Sequence, residues 1–552
     1  MRATSRSYSL GSNDYRLGLL AITLLVVSAG FVRFNTTNST KAVTHPLQAG
    51  QRHLPPPAPQ QCSTCAPPSL QTIYAPTIGI PQIADGRIVF NSRTEVVTAV
   101  QTTFYTEEGV AVSGPVVELQ PAEIRFVEIA SLIPAQERWR VRWGGMSLSY
   151  TGKAFDIWAQ TTLRGAINSG SSDLTFSVLN GVGSDTQEAV WRLSRGGRAV
   201  VVLGNSCDSS IHTRLDYSDG DSQELDIAAH ATEYVRPHPN GNKNNGQSES
   251  VRLTTVGPAG SLKAAGTVLT ADNRLASSIR FYDLKSIVQP NLFATNLRLK
   301  GYVPRIVLKN TSAANVTAQP RFRPVAGESA NPVQLPAITL APEEIAELDL
   351  SPLMIAAAAR TDLDTVSVQI LNSGAPGSLI GTISGANPQT GATYDVPLRD
   401  SGPHRMNTGS YPWRIDGDYS TTVSITNVGD LPARYIAEIR YAGGKYIFGD
   451  RPLAVGETVL FDLRKIRAQR TPDVNGNVLP DSVAGGQFRW HSFPAPGTPH
   501  MIGRAAVSSR SEGVSASYSC TQNCGTNGPW YVIGGLTTVP MGSYQAMTTQ
   551  IY

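Results

Sequence analysis

Asp473-Val-Asn-Gly-Asn-Val-Leu-Pro-Asp481 places oxygen-bearing side chains at the first, third, fifth and ninth positions of a short loop. Asp473, Asn475, Asn477 and Asp481 at that spacing could converge on calcium, a hard cation that takes oxygen ligands. Val478 stands where a calcium loop needs a sharply turning glycine, and Ala484 where the closing glutamate belongs. The other reading is an Asn475-Gly476 turn between strands. Cys62 and Cys65 form a Cys-x-x-Cys, but prolines crowd both sides and no helix follows to activate a thiol. That pair reads as a local disulfide loop or a crosslink to a second chain, and the pair Cys520 and Cys524 as a small disulfide loop, in an oxidising compartment. Cys207 is the odd one, either a buried inert thiol or a link between chains. Trp413 and Trp530 lie in the aromatic clusters Tyr411-Pro-Trp413 and Trp530-Tyr531. Exposed, they could stack on sugar; otherwise they pack a core.

Other chemistry finds no pattern. The His residues are scattered, with neither a His-Glu-x-x-His helix for zinc nor a Gly-x-Ser-x-Gly elbow for a serine nucleophile. The formal charge of +4 is spread along the chain with no basic block, which argues against nucleic acid as a partner. Glu123, Glu344 and Glu457 recur at one motif position, as do Glu128, Asp349 and Asp462. An enzyme rarely needs one acid in triplicate, so turn capping or an exposed strand position is expected.

The motif carrying those acids organises the chain. Leu119-Gln-Pro-Ala-Glu-Ile-Arg-Phe-Val-Glu-Ile129, Leu340-Ala-Pro-Glu-Glu-Ile-Ala-Glu-Leu-Asp-Leu350 and Leu453-Ala-Val-Gly-Glu-Thr-Val-Leu-Phe-Asp-Leu463 align without gaps. Leu225 to Val235 keeps only their spacing. Upstream of each lies an apolar run closing on Asn91, Asn205, Asn310 or Asn427. These recur at intervals of roughly 110 residues, the size of one small sandwich. Two residues before each Asn the side chain is apolar; four before, Arg87 is the one exception. Such alternation marks a half-buried strand, and short runs between Gly, Asn and Pro favour antiparallel sheets over βαβ units. One helix is expected, over Pro352–Arg360.

The Leu-x-x-Gly-Glu-x-x-x-x-Asp-Leu run after an apolar–Asn strand resembles bacterial immunoglobulin-like modules of the cell-adhesion-related type. Over Gly86 to Ser519 the chain is similar to exported bacterial proteins carrying such modules in tandem. The resemblance implies a β-sandwich and a surface role, and carries over no catalytic residue.

Arg2, Arg6 and Arg16 precede an uncharged run from Leu17 to Val32. As a helix it spans about 24 Å, short of the roughly 30 Å of a membrane core. It reads as a signal peptide or, if uncleaved, a membrane anchor, which places the rest outside the cytoplasm. Clustered prolines then predict an extended stalk.

The expected architecture is all-β: signal or anchor 1–32, Pro-rich stalk 33–82, four immunoglobulin-like antiparallel sandwiches at 83–197, 198–299, 300–415 and 416–519, and a Cys-containing tail 520–552. The expected function is non-enzymatic, as an adhesion or binding protein of the surface or medium or as a structural rod. The alternative is a carbohydrate-binding protein or an accessory module array of a secreted hydrolase system. An envelope polysaccharide or a surface protein is the expected partner.

Overall fold

The first module shows the plan. Its strands are β1 (Ser69–Ala75), β2 (Gly79–Ile80), β3 (Ala84–Ser92), β4 (Thr98–Tyr105), β5 (Ala111–Leu119), β6 (Ile124–Glu128), β7 (Met146–Gly152), β8 (Ile157–Arg164), β9 (Ser171–Thr175) and β10 (Ser177–Val178). One sheet runs β10-β1-β7-β4-β5, and the facing sheet runs β2-β3-β8-β9 with β6 also on β3, all antiparallel. Ile88 and Phe90 of β3, Val100 and Phe104 of β4, and Leu148 and Tyr150 of β7 meet between them in one core. The structure, a computed structural model, describes residues 69–519 except 81–83, 142, 166–170, 176, 179–184, 238–245, 326–331, 361–362, 390–391, 401–407, 494–500 and 512–513, together with 530–531 and 538–539. Residues 17–32, expected as signal or anchor, lie outside the described residues. So do Cys62, Cys65, Cys520 and Cys524, expected as two disulfide loops.

The same order recurs three times. The counterparts of β3 are Arg198–Asn205, Val303–Asn310 and Ser420–Asn427, each central in a four-stranded sheet that faces a second sheet across its own core. The chain is thus nearly all β, as the alternation predicts. Three expectations change. Residues 69–80, assigned to the stalk, form β1 and β2, because Ile73, Ala75 and Ile80 reach apolar cores. The boundaries at 198, 300 and 416 cut off each module's first strand (Thr186–Arg192, Leu292–Arg298, Thr408–Arg414), which pairs with the strands after it. The strand order also departs from the immunoglobulin one, in which the first strand pairs with the second. Here β1 pairs with β7, and β3 with β6 and β8. Alternation tells which face of a strand is buried, not which strand lies beside it.

The recurring motif is a turn and its lock. Main-chain bonds of 3.1 Å close Gln120–Glu123, Ala228–Ala231, Ala341–Glu344 and Ala454–Glu457. The third residue of each is left-handed: Ala122 (φ 54°), His230 (57°), Glu343 (63°) and Gly456 (74°). Pro121 and Pro342 supply the second position, as a type II turn prefers. Glu123, Glu344 and Glu457 each fold back to accept the N–H three residues earlier, at 2.7, 2.7 and 2.6 Å. The recurrent glutamates are turn caps. In the second module the turn begins at Ala228, two residues later than the sequence spacing suggests.

The marker Asn locks that turn from the neighbouring strand. Buried Asn310 donates from Nδ2 to the carbonyls of Ala314, Leu340 and Ala341 at 2.7, 3.1 and 2.9 Å. Asn205 bonds Ser209, Ile227 and Ala228 in the same way, and Asn427 bonds Leu431 and Leu453. Asn310→Ala would remove three bonds that tie this strand to the turn, each worth about 0.5–1.5 kcal/mol net. A loss of about 2–4 kcal/mol is expected in urea unfolding.

Asn91 does not belong to this set. The strand-to-turn bond made by Asn205, Asn310 and Asn427 is made in the first module by Ser92, whose N–H donates to Glu123 O at 2.9 Å. Counted from Ser92, Phe90 and Ile88 fall two and four residues back, and both are fully buried. Arg87 was an exception only because the marker was one residue early, and one residue turns a strand's side chains to the opposite face. Arg87, Val89 and Asn91 therefore point out of their own module, toward the fourth.

Those outward faces are covered, so the strands are buried on both sides. The described modules lie in one compact unit, Cys62–Tyr552. Ile80, Ala84 and Leu163 of the first module pack on Val200, Val202 and Leu269 of the second. Val190 of the second meets Val307 and Ile380 of the third. Arg504 of the fourth donates to Asp395 O of the third at 2.8 Å. Val89 of the first joins the core of the fourth. Two junctions repeat to the residue: Tyr282 donates to Gly381 O at 2.7 Å and Arg399 to Gly503 O at 3.1 Å. Both donors sit in a short closing strand beside their module's first strand, and both acceptors pair with the residue two before a marker Asn. Head-to-tail interfaces make a ring when the rotation closes. Here it closes after four modules, which replaces the expected rod.

Candidate binding cleft at the closing seam

Where the first module meets the fourth, a small cleft is lined by Arg87 (β3), Phe126 (β6), Thr162 and Arg164 (β8) on one side. Arg414, Tyr419, Val507 and Tyr518 line the other. The cleft exists only because the ring closes. Period two sends Arg87 outward from β3, and the same alternation presents Phe126 and Glu128 of β6 and Thr162 and Arg164 of β8.

Arg414 is the fixed element. Its guanidinium lies 3.9 Å from the Tyr419 ring centroid and 5.6 Å from that of Phe126. Both Asp416 oxygens accept from it, at 2.6 and 2.7 Å, a two-point fork that Lys could not make. Hydrogen bonding from Arg414 holds the Asp416 carboxyl below its ordinary value. Arg87 donates from Nε to Glu128 Oε1 at 2.7 Å and from Nη1 to Tyr419 Oη at 2.8 Å. Arg164 stands 3.6 Å from the same Glu128 oxygen.

Glu128 is available because it is not capping a helix. Its counterpart Asp462 accepts from Lys465 N (3.0 Å) as the N-cap of helix α4 (Leu463–Ala468), and Asp349 accepts from Ser351 N (2.9 Å) from one residue before the cap position of helix α3 (Ser351–Ala359). The first module has only the short helices α1 (Ile129–Leu132) and α2 (Arg138–Val141) there, and Glu128 makes no cap bond.

A second set of groups bridges the seam. Gln487 donates to Asn91 Oδ1 at 2.6 Å and Gln160 to Ser517 O at 3.2 Å. Arg440 pairs with Glu95 at 3.3 Å and Glu438 at 2.6 Å. Arg489 is buried beside them, and burial lowers its pKa to about 10.

The residues singled out from the sequence lie elsewhere. Asp473 Oδ1 accepts from the N–H groups of Asn475 and Asn477, both at 2.8 Å, and Oδ2 from Ile447 N at 3.2 Å. Asp481 pairs with Arg470 at 3.4 Å instead of joining them. The Asp473 carboxylate thus caps the turn that the Gly476 N–H closes on Asp473 O at 3.0 Å. Asp473→Ala is expected to cost about 2–3 kcal/mol through the orphaned N–H groups. Millimolar calcium is expected to leave the Tm of the unaltered protein unchanged, as a thermal melt with and without the ion would register. Trp413 is fully buried in the fourth core, so it offers no face to sugar. The Trp530 side chain lies outside the described residues, as do the thiols of Cys62, Cys65, Cys520 and Cys524. The Cys207 thiol donates to Asn205 Oδ1 at 3.0 Å.

Sequence reasoning missed Arg164 and Arg414 altogether. For Arg87 there was a signal, its break in the period of β3. No protein-family model matches the chain, and no curated protein matches it in sequence.

Proposed function

We propose that this chain is an exported, non-enzymatic binding protein of the cell surface or surrounding medium. It acts by presenting the seam cleft to an envelope polysaccharide or a surface protein. The carrying observation is the cleft itself: cations held in place by aromatic rings and carboxylates, assembled from both ends of the ring. A few convergent polar groups beside the half-buried ring of Phe126 suit recognition. Of the recurrent acids that could suggest catalysis, Glu123, Glu344 and Glu457 are engaged as turn caps and Asp462 as a helix cap. The basic flank and apolar run at 17–32 support export with or without retention as an anchor, and the prolines before Ser69 support a spacer from a membrane. Kinship with the cell-adhesion-related immunoglobulin-like modules rests on the turn motif alone.

The full-length chain, used as bait on envelope and medium fractions of its source, tests this. Recovery of one polysaccharide or surface protein, reduced by changes at Arg164 and Phe126, is expected. Recovery untouched by those changes would remove the cleft from the proposal.

A further inference from the structure

We propose that Trp139 is a platform for a neutral hexopyranose unit of a polysaccharide, with the C–H face of the sugar lying on the indole. The site goes beyond the seam cleft and shares no residue with it. Trp139 is 78% exposed, whereas Trp191, Trp413 and Trp490 are fully buried. Tryptophan is among the more buried residues on average, because its large ring stabilises a core. A ring left in water does little for the fold, so its identity is explained by what it meets outside.

The segment between β6 and β7 builds the platform. Ile129, Leu132, Ile133 and Val141 sink into the core of the first module, which leaves the turn between them facing out. Glu137 N closes on Pro134 O at 2.8 Å, and Arg138 Nε donates to Ile133 O at 3.3 Å. The backbone at Trp139 is thus fastened on both sides, and a rigid ring with two side-chain torsions loses little freedom on binding. The Arg140 guanidinium stands 6.0 Å from the ring centroid, and its Nη1 donates to Glu137 Oε2 at 2.9 Å. That pair borders the ring with a donor and an acceptor, the two groups that sugar hydroxyls need.

The surroundings choose the class of ligand. Arg138 and Arg140 are offset by Glu137 and by Glu108, whose carboxyl is held below its ordinary value by hydrogen bonding from Thr106 and, in smaller part, by Arg140. A balanced rim gives an anionic unit no advantage, and a membrane surface would want a basic excess. No other large apolar side chain of the segment is exposed. One ring falls far short of the roughly 800 Å² that each partner of a stable protein interface buries. It matches the apolar face of one sugar.

The test uses the full-length protein with a neutral β-glucan hexaose, oligogalacturonate and anionic phospholipid vesicles, read by tryptophan emission and calorimetry. Glucan binding with a shift in emission is expected. Trp139→Ala should remove the shift and weaken binding at least about tenfold, the scale of one aromatic contact. Trp139→Tyr should keep most of the affinity. Both variants should keep the urea midpoint of the unaltered protein, so a loss of binding is not a loss of fold. No glucan binding, or binding that Trp139→Ala leaves untouched, overturns the proposal. So does oligogalacturonate or a vesicle held through Trp139 as tightly as the glucan. Arg164→Ala should leave the Trp139 emission shift in place, so the platform and the seam cleft stand or fall separately.

Discussion

Glu188→Ala is expected to destabilise the junction between the second and third modules by about 3 kcal/mol, seen as a lower urea midpoint. Glu188 is wholly buried, and its Oε1 receives Lys309 Nζ from the next module, itself 5% exposed. Removing one partner of a buried pair leaves a charge in an apolar site, which costs about 3–5 kcal/mol. The low end applies because Glu343 stays 3.1 Å from Lys309. Burial holds the Glu188 carboxyl above its ordinary value even against Lys309, so the intact pair stabilises little for all its closeness. The contrast is the double variant Glu188→Leu with Lys309→Met, which should match or exceed the unaltered protein. A single variant no weaker than the double one would sink this account.

The fourth module is expected to lose about 2 kcal/mol between pH 7 and pH 5. His491 sits in its central strand, 3% exposed. Burial first, and Arg489 second, lower its pKa to about 3. The unfolded chain takes up a proton near pH 6.5 and the folded chain does not. This contribution is therefore complete above pH 6.5 and falls as pH drops toward 3, by up to about 1.4 kcal/mol per unit. His491→Phe should flatten urea midpoints over about pH 5–7, the window before carboxylates titrate. A profile equally steep in that variant would assign the acid lability elsewhere.

How much of this was legible depended on whether the signal was local. The Leu–Glu turn was readable because Pro121 and Gly456 meet turn geometry through their own backbone, and the repeat made it visible three times. The helix expected at Pro352–Arg360 appears at Ser351–Ala359, since Asp349 and Pro352 fix its start locally. The marker Asn was seen but not its partner, because its bonds cross to a strand 30 residues on in the third module. The ring could not be read. Strand alternation labels two faces, and only the companion surface says that both are buried. Val200 and Val202 look like ordinary β-branched strand residues until Ile80 and Leu163 are set against them. The same holds for the cleft, whose arginines lie far apart in the chain and meet only at the seam.

Closure has a kinetic consequence. A junction that opens in a rod separates two pieces joined by a tether at one end. In this protein the other three junctions hold the parted faces opposite each other, at an effective concentration in the millimolar range or above. Reclosure is then a first-order event, indifferent to dilution, and no junction need be strong enough to survive as a bimolecular complex. The module arrangement can outlast the opening of any one of its contacts, including the one where a ligand is proposed to enter.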